Sequence, residues 1–140
     1  MFVEDELDRI ATLLANRGVK LRDPATSIEL NVLSARFNAM IPPSSLSIYR
    51  KFDGFERTDQ KSMIDIWSTD RIVTERDLYR SEEFYRVLPI GDFLIDSHIY
   101  VLPLFFADPP VRIWGERDDV VAKTFLTFLN DIALGNFDFM

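Results

Sequence analysis

The chain contains no cysteine, a single histidine and only five glycines in 140 residues. Without thiols, a disulfide framework, a thiolate nucleophile and a cysteine-based zinc site are all excluded, and a reducing compartment fits. One histidine leaves only carboxylates for a metal. The neighbouring pairs Glu82-Glu83 and Asp118-Asp119 lack the spacing of a calcium loop, so neither metal nor cofactor is expected. Gly91 and Gly115 stand alone, and no glycine-rich phosphate loop exists. The amino-terminal stretch MFVEDELDRI is acidic, without the basic-then-apolar order of a secretory leader. The longest apolar run, Ile99 to Ala107, is interrupted by Pro103 and is too short to span a bilayer. These absences predict a soluble cytoplasmic protein without membrane contact.

Positive charge is also scarce. Sixteen Lys and Arg face 23 Asp and Glu, a net charge of −7. That argues against a nucleic-acid surface, which needs a basic footprint. It leaves room for a basic protein partner, because complementary potentials speed encounter. Solubility alone would also account for it.

What the chain does have is apolar bulk. Hydrophobic residues make up 47%, with twelve Phe and two Trp. Each large apolar side chain contributes roughly 1.5–3 kcal/mol when fully buried. The length suits one domain spanning residues 1–140.

The stretch Met40 to Phe55, MIPPSSLSIYRKFDGF, organises the fold. Pro43 or Ser44 can open a short helix, Leu46, Tyr49 and Phe52 recur at helical spacing, and Asp53-Gly54 stops it. Before it, Val3, Leu7, Ile10, Ala11 and Leu14 predict an amphipathic helix over 3–16, with Glu4, Asp5 and Glu6 at its positive end. Thr26 and Glu29 form a capping-box pattern. The helix it opens is expected to carry Ile28, Val32, Leu33, Phe37 and Met40 to the core and to end at Pro42-Pro43.

From residue 61 the period becomes strand-like. Ile64 and Ile66 fall on one face and Trp67 on the other. Thr69 or Asp70 can cap a brief helix through Leu78. Phe84 to Ile90 reads as a strand ending in a turn at Gly91-Asp92. Phe93–Ile95 and Ile99–Leu104 predict a hairpin around Asp96-Ser97. After the turn at Asp108-Pro109-Pro110, Val111, Ile113 and Trp114 supply another strand. Asp118-Asp119 is expected to start the last helix, whose stripe is Val121, Phe125, Phe128, Leu129 and Ile132, ending at Gly135. The tail Asn136 to Met140 alternates apolar and polar and suits a terminal strand or a docking segment.

His98, beside Asp96 and Ser97, invites a catalytic-triad reading. Near-adjacent residues on a strand or turn do not converge, because alternate side chains point to opposite faces. A polar hairpin residue is the simpler account, and no catalytic residue is assigned.

Four features together resemble the SUKH superfamily, which includes a fungal cell-wall-synthesis regulator and many bacterial immunity proteins. They are Ile41-Pro42 before a helix with Tyr49 and Phe52 ending at Asp53-Gly54-Phe55, then Leu88-Pro89-Ile90-Gly91-Asp92, then Pro110-Val111 with Trp114, and last the closing helix with Phe125 and Phe128-Leu129. Asp53-Gly54 stands where the family usually has asparagine-glycine. The resemblance implies an α+β fold, with amino-terminal helices, a curved, mainly antiparallel sheet and a carboxy-terminal helix packed on it. It implies no enzyme: bacterial members bind and block a toxin, often a nuclease or deaminase, and fungal members act as regulatory scaffolds.

The segment Asp65 to Asp96 carries eight acidic residues against four arginines. Its candidate partner-binding residues are Asp65, Asp70, Tyr79, Glu82, Glu83, Tyr85, Asp92 and Asp96, the tyrosines being favoured interface anchors. The leading expectation is a non-catalytic immunity protein that neutralises a basic toxin domain. The second is a regulatory scaffold or adaptor. An enzyme ranks last and would require His98→Ala to abolish an activity without unfolding the chain.

Overall fold

The computed structural model describes residues 3–38, 40–78, 81, 83–95, 97–115 and 119–136. Helix α1, Val3–Asn16, turns Leu7, Ile10 and Leu14 inward, and its first turn holds the acidic triplet, as the spacing predicts. Helix α2, Ser27–Arg36, opens with the expected capping box. The Glu29 N–H donates to Thr26 Oγ1 at 3.1 Å, and the Thr26 N–H donates to Glu29 Oε1 at 2.9 Å. This helix is shorter than the prolines suggested. Phe37 closes it, and Asn38 takes a left-handed φ of 54° that turns the chain before Pro42 is reached.

Helix α3, Pro43–Lys51, begins with proline at its first position and buries Ile48 and Tyr49. Ser44 does not cap it. The Ser45 N–H donates to the Pro42 carbonyl instead, at 2.9 Å. Helix and glycine are also separate events here. The chain is already extended at Phe52, and Gly54 follows with φ +79°. A Cβ at Gly54 would sit 2.5 Å from the Ile66 carbonyl oxygen. The residue is needed both for its backbone conformation and for close approach to the next strand.

Strands β1 (Ile64–Ile66), β2 (Val87–Phe93), β3 (His98–Pro103), β4 (Val111–Ile113) and β5 (Val120–Ala122) form one antiparallel sheet in sequence order. Helix α4, Thr69–Leu78, fills the connection after β1, and a 3₁₀ turn, Phe84–Arg86, leads into β2. Here the structure corrects two expectations. Phe84 to Arg86 are not strand, and Gly91-Asp92 do not turn. Instead β2 runs through them, opposite Ile66 and Asp65. Gly91 lets the Asp65 carbonyl approach to 2.3 Å of where a Cβ would stand, and the register shifts between Pro89 and Gly91. That bulge accommodates Pro89, which has no N–H for the ladder.

A third correction concerns the hairpin: Leu94 and Ile95, expected in its first strand, form its turn, both at left-handed φ, and the strand ends at Phe93. Asp96 lies outside the described residues. A fourth correction concerns the closing helix. Val120–Ala122 pair with β4 as a strand, and helix α5, Phe125–Leu134, starts only after Thr124, whose hydroxyl accepts from the Thr127 N–H at 3.0 Å. β-Branched residues beside an open strand edge gain more from the ladder than from a helix start. Asp118 and the tail from Phe137 to Met140 lie outside the described residues.

The result is an α+β domain with one continuous core and a carboxy-terminal helix on the sheet. Phe128 of α5 meets Tyr100 of β3 with ring centres 4.8 Å apart, and Phe125 meets Tyr49 of α3 at 5.9 Å. Among the described residues, no helix is long and apolar enough to cross a membrane.

Candidate protein-binding site

The acidic residues read from segment 65–96 do not share one surface. Asp65 and Asp92 sit opposite each other on β1 and β2, and Arg71 of α4 reaches both, at 2.9 and 3.1 Å. The same guanidinium lies 4.4 Å from the Trp67 ring and 3.6 Å from Glu75. Asp92 is only 2% exposed, which corrects its expected role as a surface contact. Burial pushes the Asp65 carboxyl up to about 6, outweighing the attraction of Arg71, and the neighbouring Asp92 adds to the rise. These charges fasten α4 to the sheet.

Glu83 is exposed beside the 3₁₀ turn. The Tyr85 ring carries the Arg76 guanidinium 4.4 Å from its centre, so its neighbourhood is cationic. Tyr79 and Glu82 lie outside the described residues. Asp77, another acid of the segment, is held by Arg36 at 2.8 Å. His98 is exposed with its ring against Phe93, while the Ser97 hydroxyl donates to the Leu94 carbonyl at 3.1 Å. Among the described residues, no group of three potential ligands is placed to hold a metal ion.

Two members of the predicted set line a recess with exposed apolar neighbours: Tyr85, in one that also holds Phe105 and Phe106, and Asp70, the acidic one. The Asp70 recess lies between α2 and α4, encloses about 140 Å³, and is bounded by Ile28, Glu29, Val32, Thr69, Asp70 and Val73. Ile28 is 76% exposed and Val32 47%, contrary to their expected place in the core. At about 100° per residue, Ile28 and Val32 project from one side of α2, while Leu30, Leu33 and Phe37 fall on nearly the opposite side. The inner stripe fills the core, and the outer pair is left facing solvent.

Glu29 links this recess to a second, of about 450 Å³, lined in part by Arg22, Asp23, Asp53 and Glu56. The two together present four accessible carboxylates (Asp23, Glu29, Glu56 and Asp70) against one guanidinium, with the buried Asp53 beneath them. Asp53 forms the join. Its carboxylate accepts from the Thr69 N–H at 2.8 Å and from the Thr69 hydroxyl at 3.3 Å, tying the end of α3 to the start of α4. Burial raises its pKa, the Thr69 donors oppose that rise, and Glu29 adds to it. Glu29 is itself oriented by the capping box.

The face is therefore a small apolar centre in a rigid acidic frame. It suits a partner bringing an apolar side chain surrounded by Lys or Arg. The stripe expected in the core, Ile28, Val32, Leu33, Phe37 and Met40, mixes the two sides of α2 and omits Leu30, which is buried; at helical pitch Ile28 and Val32 separate from Leu30, Leu33 and Phe37. No protein-family model and no curated protein matches this chain.

Proposed function

We propose that this chain is a non-catalytic binding domain of the immunity type, which engages a basic toxin domain through the α2–α4 face and occludes its active site. The observation that carries this reading is the exposed Ile28–Val32 pair on a face with four accessible carboxylates and one arginine. A nuclease, or a deaminase acting on nucleic acid, needs a basic cleft for phosphates, and an acidic face competes for that cleft directly. The carboxylates steer the encounter, while desolvation of the apolar centre slows departure. The SUKH-like order of motifs in the sequence supports the same reading.

The test is capture of the tagged chain with its bound polypeptide from the cells that make it, followed by assay of that polypeptide. One stoichiometric basic protein, active alone and silent when bound, is the expected result. Ile28→Asp should weaken that complex by about tenfold or more while the chain stays folded, since a charged group in the centre of an interface leaves a buried charge unpaired. Full affinity in that variant would remove this face from the proposal. The alternative, a regulatory scaffold, draws on a second exposed face of opposite character, and co-purification of several cellular proteins would favour it.

A further inference from the structure

Beyond α2 and α4, the end of β3 presents two phenylalanines to solvent. Phe105 is 72% exposed and Phe106 59%. Their loop is built. The Leu104 N–H donates to the Arg86 carbonyl at 3.1 Å, the Phe105 N–H to the Met40 carbonyl at 3.4 Å, and the Ser44 hydroxyl to the Ala107 carbonyl at 3.2 Å. Phe105 is held at φ +77°, a conformation unfavourable for a bulky residue. Strain of this kind persists only where surrounding contacts impose it, and it concentrates at binding sites.

Beneath the loop is a recess of about 490 Å³. Arg76 lies in its wall between two rings, 4.4 Å from the centre of Tyr85 and 5.2 Å from that of Phe37. Its Nε is buried without a hydrogen-bond acceptor, and the Asp77 carboxylate touches its head only at 4.0 Å. Arg86 also lines the recess, is exposed, and makes no ion pair among the described residues. Pro103 and Phe106 connect it to a second recess, of about 430 Å³, over the sheet face that carries Val87, Val101 and Arg112. No carboxylate among the described residues lines either one. In a chain of net charge −7, this is a face of the opposite sign.

We propose that this aromatic and arginine-lined face is a second docking site, and that it takes an acidic polypeptide segment carrying an apolar side chain. The apolar group seats between Phe105 and Phe106 and the recess wall. Carboxylates pair with Arg86 and with the head of Arg76, whose guanidinium is already oriented by the rings that sandwich it. A basic segment is repelled here, and a free anion gains nothing from the phenyl rings.

Selection of random twelve-residue peptides displayed on phage against the full-length chain tests this. Enrichment of sequences with several Asp or Glu around one or two Phe, Leu or Trp is expected. A labelled synthetic peptide of the enriched sequence should bind by fluorescence anisotropy. Arg86→Glu and Phe106→Ser, both at exposed positions, should each weaken binding by about fivefold or more, and Arg76→Gln by about tenfold. Ile28→Asp should leave it unchanged, so this site and the proposed toxin-binding face fail or stand separately. No enrichment, enrichment of basic sequences, or unchanged binding in Arg86→Glu and Phe106→Ser would overturn the proposal. So would a concentration-dependent dimer abolished by Phe106→Ser, which would show that a second copy of the chain covers this face.

Discussion

Tyr49 is fully buried on α3, and its hydroxyl finds no hydrogen-bond partner among the described residues. Burial, with help from nearby Asp53, raises its pKa well above that of an ordinary tyrosine, so the hydroxyl stays neutral. A buried hydroxyl without a partner costs about 1–3 kcal/mol. Tyr49→Phe is therefore expected to raise stability by about 1 kcal/mol in urea unfolding. A loss of stability would show that the hydroxyl has a partner such as bound water. Asp65 makes the opposite kind of prediction. Its carboxyl titrates near 6 in the fold, above its ordinary 3.8, so the folded chain binds that proton more tightly than the unfolded chain. This group's contribution is then favourable below pH 4, declines as pH rises through 6, and is level above that. Asp65→Asn removes the decline. Relative to the parent chain, the variant should gain about 1–2 kcal/mol between pH 4 and pH 7, less than the full shift because solvent screens the partly exposed carboxyl, read from paired denaturation curves. Equal curves at both pH values would refute the shift.

At the scale of elements, α2 shows how one helix serves two surfaces. Leu33 is fully buried, whereas Ile28 and Val32 are exposed four residues apart on the other side. Leu33→Ala should cost about 2–5 kcal/mol, because it removes methyl groups from a packed core. Ile28→Ser and Val32→Ser should each change stability by less than about 0.5 kcal/mol, since neither loses core packing and helix propensities are similar. Thermal unfolding of the three variants distinguishes a binding face from a core face before any partner is known. The joint between α3, β1 and α4 is tighter. Gly54 passes against the Ile66 carbonyl, the Phe55 N–H donates to that same oxygen at 2.8 Å, and Asp53 caps the next helix at Thr69. The sequence marks this joint by the Asp53-Gly54 pair, although the pair works by packing and capping across elements and not by ending α3.

For the whole molecule, sign and distribution of charge matter more than the sum. The net value of −7 divides into an acidic frame around α2 and α4, an internal network on Arg71, and an arginine-lined face beside Phe105 and Phe106. Because the acidic frame is open to solvent, its steering of a basic partner is screened within about 8–10 Å at ordinary ionic strength. Association with such a partner should slow by about tenfold or more between 20 and 500 mM salt, with dissociation changing far less. Stopped-flow mixing measures both. A salt-independent association rate would place the partner on another face.

Helix positions were legible because caps and apolar spacing act over a few residues. Thr26 with Glu29, the Leu7–Ile10–Leu14 spacing and the Phe125–Phe128–Leu129–Ile132 stripe each carry their own instruction. The second arm of the hairpin, within Ile99–Leu104, and the strand at Val111–Ile113 were legible for the same reason, but the first arm was not: it is Val87–Phe93, and Leu94 and Ile95 turn. Only the tertiary structure decided which stripe of α2 turned inward, since that depends on what packs against it. It also decided that Gly91 serves a close strand contact, that Val120–Ala122 join an open edge, and that Asp65 and Asp92 converge on Arg71. In each case the partner is supplied by a different element. A residue's type fixes its possible bonds, but the fold fixes which of them are made and which face is left for something else.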